Sequence, residues 1–290
     1  MVSGRRHDGR LLIAALAVWA LVPPAGAAGG RVSLDEVMRR VSAYVDGYGE
    51  KASIIVATER YNQEAHGAAK DAREQREIVS DLAIVKIVAL RTWQGFRDVI
   101  EVDGVRVTDR DDRLAAVLMA SEGRLDEARR LSDESARYNI GSIQRNFNVP
   151  TSTLFFFGSE NRGRFKFSAK TVEPDGAWEI AFRETERPTF IRTPEGRSIY
   201  SEGTIWVSPS DGVIVRTRLK VDLPARGDDR HRSGAGTVDV TFHHVDGFDM
   251  WLPGSMSETF ESRGRGGRQR VEGRATYDNY RRFETTVRIK

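Results

Sequence analysis

The chain has 290 residues, with 45 Lys and Arg against 42 Asp and Glu, 39% hydrophobic residues and no cysteine. A formal net charge of +3 is too small for the concentrated positive field of a nucleic-acid binder. The missing thiols exclude disulfides, cysteine nucleophiles and the acylated N-terminal cysteine that anchors bacterial lipoproteins.

The first element is an export signal. Arg5, Arg6 and Arg10 precede the apolar run Leu11–Val22, and Pro23-Pro24 lead into Ala25-Gly26-Ala27, an A-x-A cleavage site. The run is shorter than the about 20 residues a membrane-spanning helix needs. Cleavage after Ala27 removes three arginines and one aspartate, leaving 42 basic residues, 41 acidic residues and a net charge of +1. Residues 1–27 are therefore expected to be a signal peptide and 28–290 a single periplasmic or secreted domain, with no membrane anchor after cleavage.

Ser33-Leu34-Asp35-Glu36 predicts a capping box opening a helix over Ser33–Tyr48. Leu34, Val37, Met38, Val41 and Val45 recur at helical spacing, and Gly47 and Gly49 are expected to stop the helix. Strands follow at Ala52–Asn62, Glu77–Leu90 and Phe96–Val107, the last containing an Asp103-Gly104 hairpin turn. A helical insert is expected near 109–140. The Asp109, Asp111, Asp112 cluster at its start fits a helix N-terminus better than a calcium loop, which needs more oxygen ligands and a turn glycine.

The second half alternates with period two. Trp178, Ile180 and Phe182 form one stripe; Val213, Val215, Thr217, Leu219 and Val221 a second; Val238, Val240 and Phe242 a third; Val271, Gly273, Ala275 and Tyr277 a fourth. Such alternation marks strands with one wet and one buried face. Asp175-Gly176, Asp211-Gly212 and Asp246-Gly247 predict the hairpin turns between them. The expected fold is α+β: one highly curved antiparallel sheet, a half-open β-barrel, with helices covering its concave face. The arginine-rich run Arg263–Arg270 reads as a solvated hairpin loop.

No motif declares a catalyst. His243 and His244 are adjacent on a strand and point to opposite faces, so they are poorly placed to share a metal with Asp246 and Asp249. Glu184 and Glu186 could form an acid–base pair, but Arg183 and Arg187 flank them and an exposed Glu/Arg ladder is the simpler expectation. There is no G-x-S-x-G elbow and no phosphate loop. We expect no catalytic residue, no metal and no cofactor. The dense apolar stock is Leu154, Phe155, Phe156 and Phe157, with Trp178, Ile180, Phe182, Ile205, Val207 and Trp251 from separate strands. It is either ordinary core or the lining of an apolar pocket.

Three segments carry a family resemblance: Ser135–Phe157 (SARYNIGSIQRNFNVPTSTLFFF), Arg187–Pro194 (RPTFIRTP) and Tyr277–Phe283 (YDNYRRF). The chain resembles a group of exported bacterial proteins that looks like a distant branch of the periplasmic lipoprotein-carrier and lipoprotein-localisation superfamily. The resemblance implies an unclosed barrel whose apolar concave face, lidded by helices, holds acyl chains or another lipid. It transfers no numbered site residue. What it implies is a non-catalytic carrier of an apolar ligand, with Leu154, Phe155, Phe156, Trp178, Ile180, Phe182, Ile205 and Trp251 as candidate contacts. The alternatives are an envelope hydrolase using Glu184 and Glu186, and a scaffold that meets other envelope proteins. The mature chain is expected to begin at Ala28; N-terminal sequencing of exported protein checks this, and recovery of an intact Met1 would refute it.

Overall fold

The computed structural model describes residues 32–52, 55–67, 73–87, 92–108, 134–141, 145, 148–172, 176–193, 196–223, 233–264 and 267–283. The expected signal peptide, the Asp109/Asp111/Asp112 cluster and most of the helical insert lie outside them; of the insert, Glu134–Ala136 is helical.

The described residues are mostly β. A helix α1 (Leu34–Ala52) is followed by β1 (Ile55–His66), β2 (Arg73–Ile87), β3 (Thr92–Val102) and β4 (Val105–Arg106). After a long connector come β5 (Phe165–Val172), β6 (Trp178–Glu184), the short strands β7 (Ile191–Arg192) and β8 (Ser198–Ile199), then β9 (Ser201–Val207) and β10 (Ile214–Leu223). The chain ends in three long strands, β11 (Ser233–Val245), β12 (Met250–Gly264) and β13 (Gly267–Arg282). Eleven strands form one antiparallel sheet in the open order β4-β3-β2-β1-β13-β12-β11-β10-β9-β6-β5, while β7 and β8 form a separate two-stranded flap.

This order dictates what covers the sheet. The first and last strands pair at its interior, Tyr61 opposite Ala275, so the first meander ends at the β4 edge and the second starts at the β5 edge. β4 and β5 are thus the two edges of the sheet. The described part of the connector between them packs on the apolar face, where Ile140, Arg145, Asn148, Val149, Leu154, Phe156 and Phe157 are all buried.

Alternation works strand by strand, and bulges reset it. Val238, Val240 and Phe242 are buried as expected, and so are Val271, Gly273, Ala275 and Tyr277. On β10, Thr217, Leu219 and Val221 are buried, but a register shift between Ile214 and Arg216 turns Ile214 inward and leaves Val215 half-exposed. An extra residue in one strand flips every side chain beyond it. Asp103 and Gly104 both take positive φ, the geometry of a two-residue hairpin turn. Asp246-Gly247 instead forms a 3₁₀ turn, and Asp249 takes the left-handed position.

Helix α1 presents Val37, Met38, Val41, Val45, Tyr48 and Ala52 to the core. Leu34, expected among them, is only half-buried in the first turn. The helix does not stop at Gly47 and Gly49. Gly49 lies on the buried stripe, and burying Tyr48 and Ala52 beside it outweighs the roughly 1 kcal/mol cost of each glycine. The Glu36 N–H donates to Ser33 Oγ at 3.2 Å, half of the capping box, while the Glu36 carboxylate turns to Arg39 and Arg40.

Polar ties fix the helix in place. Arg40 Nη1 donates to the Pro209 carbonyl at 2.6 Å, and Ser42 Oγ donates to the Phe157 carbonyl at 2.8 Å. The Asp46 carboxylate accepts the Ser159 N–H at 3.1 Å. Gly212, at φ +77°, lets the β9–β10 turn touch the Arg40 backbone, where any Cβ would collide with it. Met38→Ala should lower the unfolding free energy by about 2–5 kcal/mol, read from the urea midpoint at constant m value. A change within about 0.5 kcal/mol, typical of surface positions, would mean that this face of α1 is not packed on the sheet.

Candidate functional site

One half of the covered face is built from phenylalanine. Thr151–Gly158 bends the connector into a 3₁₀ turn at Leu154–Phe157, with Leu154, Phe156 and Phe157 buried and Phe155 half-buried. Phe156, Phe165 of β5 and Phe190 of the flap form a three-ring cluster, with centroids 5.2 Å (Phe156–Phe165), 5.5 Å (Phe156–Phe190, planes 9° apart) and 6.1 Å (Phe165–Phe190) apart. Phe157 meets Phe182 of β6 edge-on at 5.1 Å. Ile180 and Ile205, opposite one another on β6 and β9, are fully buried.

Five of the eight candidate contacts, Leu154, Phe156, Ile180, Phe182 and Ile205, therefore lie fully within the core, and Phe155 joins them at the margin through Phe190 (5.3 Å). Trp178 packs partly buried at the start of β6, opposite Val207. Trp251 sits apart on β12, opposite His244 with ring centroids 6.2 Å apart.

The flap carrying Phe190 is held by a buried carboxylate. Glu184, at the end of β6, accepts the Phe190 N–H at 2.9 Å and lies 3.8 Å from Arg164. Arg164 stacks on the Phe190 ring at 4.8 Å, donates to the Pro188 carbonyl and pairs with Glu186 at 3.3 Å. The expected exposed ladder is thus corrected. Glu184 is in phase with Ile180 and Phe182 and is 2% exposed, whereas Glu186 lies beyond the strand end and is exposed. With Arg164 between them, the two carboxylates do not face a common cleft.

The other half of the covered face holds charge. On β1, Glu59 and Gln63 point inward in phase with Tyr61 and Ala65. Arg97 of β3 grips Glu59 through two nitrogens, Nη2 donating at 2.7 Å, and Ser80 Oγ donates to the same carboxylate at 2.8 Å. Tyr61 donates its hydroxyl to Glu258 of β12, and Arg145 of the connector lies 3.3 Å from that carboxylate and donates to Gln63 Oε1. Asn148 Nδ2 donates to the Tyr61 hydroxyl at 3.2 Å.

Gly273 opens the space for this network: a Cβ there would sit 2.7 Å from Glu258 and 2.8 Å from the Tyr61 ring. Burial, reinforced by the Glu258 charge, pushes the Tyr61 hydroxyl pKa well up, so it stays a neutral donor. The Arg97 guanidinium is held charged, the Glu59 carboxylate beside it more than offsetting its burial.

His244 is bracketed by Asp246 (2.9 Å) and Asp249 (3.4 Å), both almost fully exposed, while His243 turns toward Tyr280 at 6.0 Å. Exposed pairs of this kind contribute at most about 1 kcal/mol. Among the described residues no three His, Asp or Glu side chains converge on a metal position. Arg268 and Arg270, from the arginine-rich run, pair with Glu261 and Glu272.

Glu59, Gln63, Arg97, Arg145 and Glu258 are not among the residues that motif and composition single out. A signal is present for Glu59, Gln63 and Glu258, polar residues in phase with an apolar stripe. Arg145 sits in an irregular segment where no period exists to betray it.

No family model and no curated protein matches the chain. Among solved structures it is distantly similar to a DUF1329 family protein from Desulfovibrio piger (TM-score 0.37, 11% identity, 88% of this chain and 95% of that one). It is also similar to a LolA superfamily protein from Nitrosomonas europaea (TM-score 0.33, 7% identity, 86% and 94%). A third is a domain assigned to outer membrane lipoprotein sorting from Vibrio parahaemolyticus (TM-score 0.30, 9% identity, 86% and 95%). No helix among the described residues is long and apolar enough to cross a membrane.

Burial raises the Glu184 carboxyl pKa above the ordinary carboxylate range, against the opposing pull of the Phe190 N–H, Arg164 and Ser201. The folded state then holds this proton more tightly than the unfolded chain. Its contribution to stability is full below the unfolded pKa and is lost as pH rises through the folded one. Glu184→Gln keeps an acceptor for the Phe190 N–H and removes the charge. It should flatten the part of the stability profile that falls as pH rises above the ordinary carboxylate range, and leave the neutral-pH midpoint equal or higher. Parallel profiles for the two proteins, measured by urea unfolding, would contradict the raised value.

Proposed function

We propose that the protein is a non-catalytic binder of an apolar, acyl-chain-like ligand, taken up against the covered face of its sheet on the phenylalanine side. One observation carries the reading. The cover there consists of three separate elements, α1, the Leu154–Phe157 turn and the β7–β8 flap, which meet through ring contacts and a few polar ties. Displacing one of them exposes apolar surface without breaking a strand pair. In this reading the sheet is a half-open barrel with α1 on its concave side, and Leu154, Phe155, Phe156, Trp178, Ile180, Phe182 and Ile205 line the path. The mature domain, Ala28–Lys290, works in the periplasm or outside the cell, alongside envelope proteins that deliver or receive the ligand.

The hydrolase alternative is weakened by the separation of Glu184 from Glu186 across Arg164. The energetics of a carrier are adequate. Each buried CH₂ contributes about 0.8 kcal/mol, so a chain of about 16 carbons gains enough to survive gentle purification after association costs.

Native mass spectrometry of protein purified from its own envelope should show a mass surplus that organic extraction removes. Trp178→Ser, at a half-buried position, should lower that occupancy more than it lowers the thermal midpoint. Protein that emerges ligand-free, with a midpoint indifferent to added fatty acids and phospholipids, would defeat the carrier reading.

A further inference from the structure

The outward face of the sheet carries a second feature, at the β5–β6 end. Strand register builds it. Ser168, Ala181 and Thr204 are cross-strand neighbours on β5, β6 and β9, forming a row of short side chains. The adjacent row is long and charged: Lys166, Arg183, Glu202 and Lys220 stand opposite one another across β5, β6, β9 and β10. On the other side of the short row stands Lys170. The result is a groove of about 370 Å³ floored by small residues and walled by four cations and Glu202. At about 30 Å³ per water, it holds the volume of roughly a dozen water molecules.

The charge in this groove is not balanced within the fold. Elsewhere on the outward face charges are paired or stand singly: Arg216 and Arg218 share Asp239, Arg281 pairs with Asp81, and Arg60 and Arg274 are exposed. Here Arg183 takes Glu202 at 2.9 Å and Lys170 reaches Glu179 at 3.3 Å, but Lys166 and Lys220 have no ion pair among the described residues. Lys166 also stands directly opposite Arg183, an arrangement of like charges that disfavours the strand pair unless an anion sits between them. Ser168 follows Lys166 on the same strand face, about 7 Å along the strand, and Lys170 reaches the groove from the bulge beyond it, its Nζ 3.5 Å from Thr204 Oγ1; the Ser168 hydroxyl offers a donor at the floor.

We propose that this groove is a docking surface for the phosphate headgroups of an anionic bilayer. Charge complementarity selects that occupant. Four cations around one hydroxyl suit a compact phosphate better than a long uniform polyanion, which Glu202 would repel. The surface lies on the face opposite the apolar one, so it positions the protein at a membrane whatever its interior binds.

Cosedimentation of the full mature chain with vesicles tests it. The protein should bind phosphatidylglycerol vesicles and not phosphatidylcholine ones, more weakly as salt is raised. The Lys166→Gln/Lys170→Gln double variant should lose about thirty-fold in apparent affinity. It should keep its thermal midpoint and any acyl-ligand mass surplus, which separates this proposal from the one above. Arg274→Gln, an exposed position on β13, should bind as the wild type does. Equal weakening in Arg274→Gln, or no preference for the anionic vesicles, would overturn the proposal. So would tight binding of inorganic phosphate or glycerol phosphate without vesicle binding, which would assign the groove to a soluble phosphate. Displacement from vesicles by an oligoglutamate peptide at lower concentration than by glycerol phosphate would also overturn it, in favour of an acidic protein partner.

Discussion

The buried pairing of Arg145 with Glu258, and of Arg97 with Glu59, is the constraint on which the rest of the structure depends. An open eleven-stranded sheet with one apolar face cannot be stable until that face is covered. The chain has to lay its own connector across it. Arg145 comes from the connector, and its partners Glu258 and Gln63 come from β12 and β1 at the interior of the sheet. Removing either member of such a pair would strand a charge at full burial, at a cost of about 3–5 kcal/mol. The network therefore fixes where the connector crosses and, through that, where the Leu154–Phe157 turn lands. In a chain without cysteine, buried charge does the positioning that a disulfide would do in other folds.

Where a strand runs without a bulge, its inward face is legible from alternation alone, as on β11 and β13. Legibility ends where local pattern and tertiary context part. The Ile214 inversion depends on a register shift against β9, which period-two counting along one strand cannot detect. The helix continues past Gly47 and Gly49 because tertiary burial overrides intrinsic propensity. Glu184 resembles a surface residue because its arginine neighbours in sequence suggest a ladder, while its phase with Ile180 and Phe182 points inward. Phase is the better guide than neighbourhood, and the same rule flags Glu59 and Glu258.

The aromatic stock is legible as a group, and the structure divides it by mechanism. Leu154, Phe156, Ile180, Phe182 and Ile205 come together because the connector turn drops onto β5, β6 and β9. Trp251 belongs to the opposite end of β11–β12, where a bulge between Thr241 and Phe242 shifts the pairing. Phe190 and Phe165 complete the cluster, yet no spacing rule joins them to Phe156. They meet only because β6 and β9 flank a flap that folds back over the sheet.

The two halves of the covered face differ in how they resist opening. On the β1–β3 and β12–β13 side, the cover is held by ionised groups whose separation would leave bare charge in a dry interior. On the β5–β9 side it is held mainly by phenylalanine rings. Dispersion and burial are non-directional, so a ring that parts from one hydrocarbon neighbour can pack against another at similar energy. Among the described residues, the buried carboxylate on this side is Glu184, which ties the flap through one N–H, that of Phe190. The charged half therefore keeps register and connector fixed, whereas the phenylalanine half can repack at little net cost.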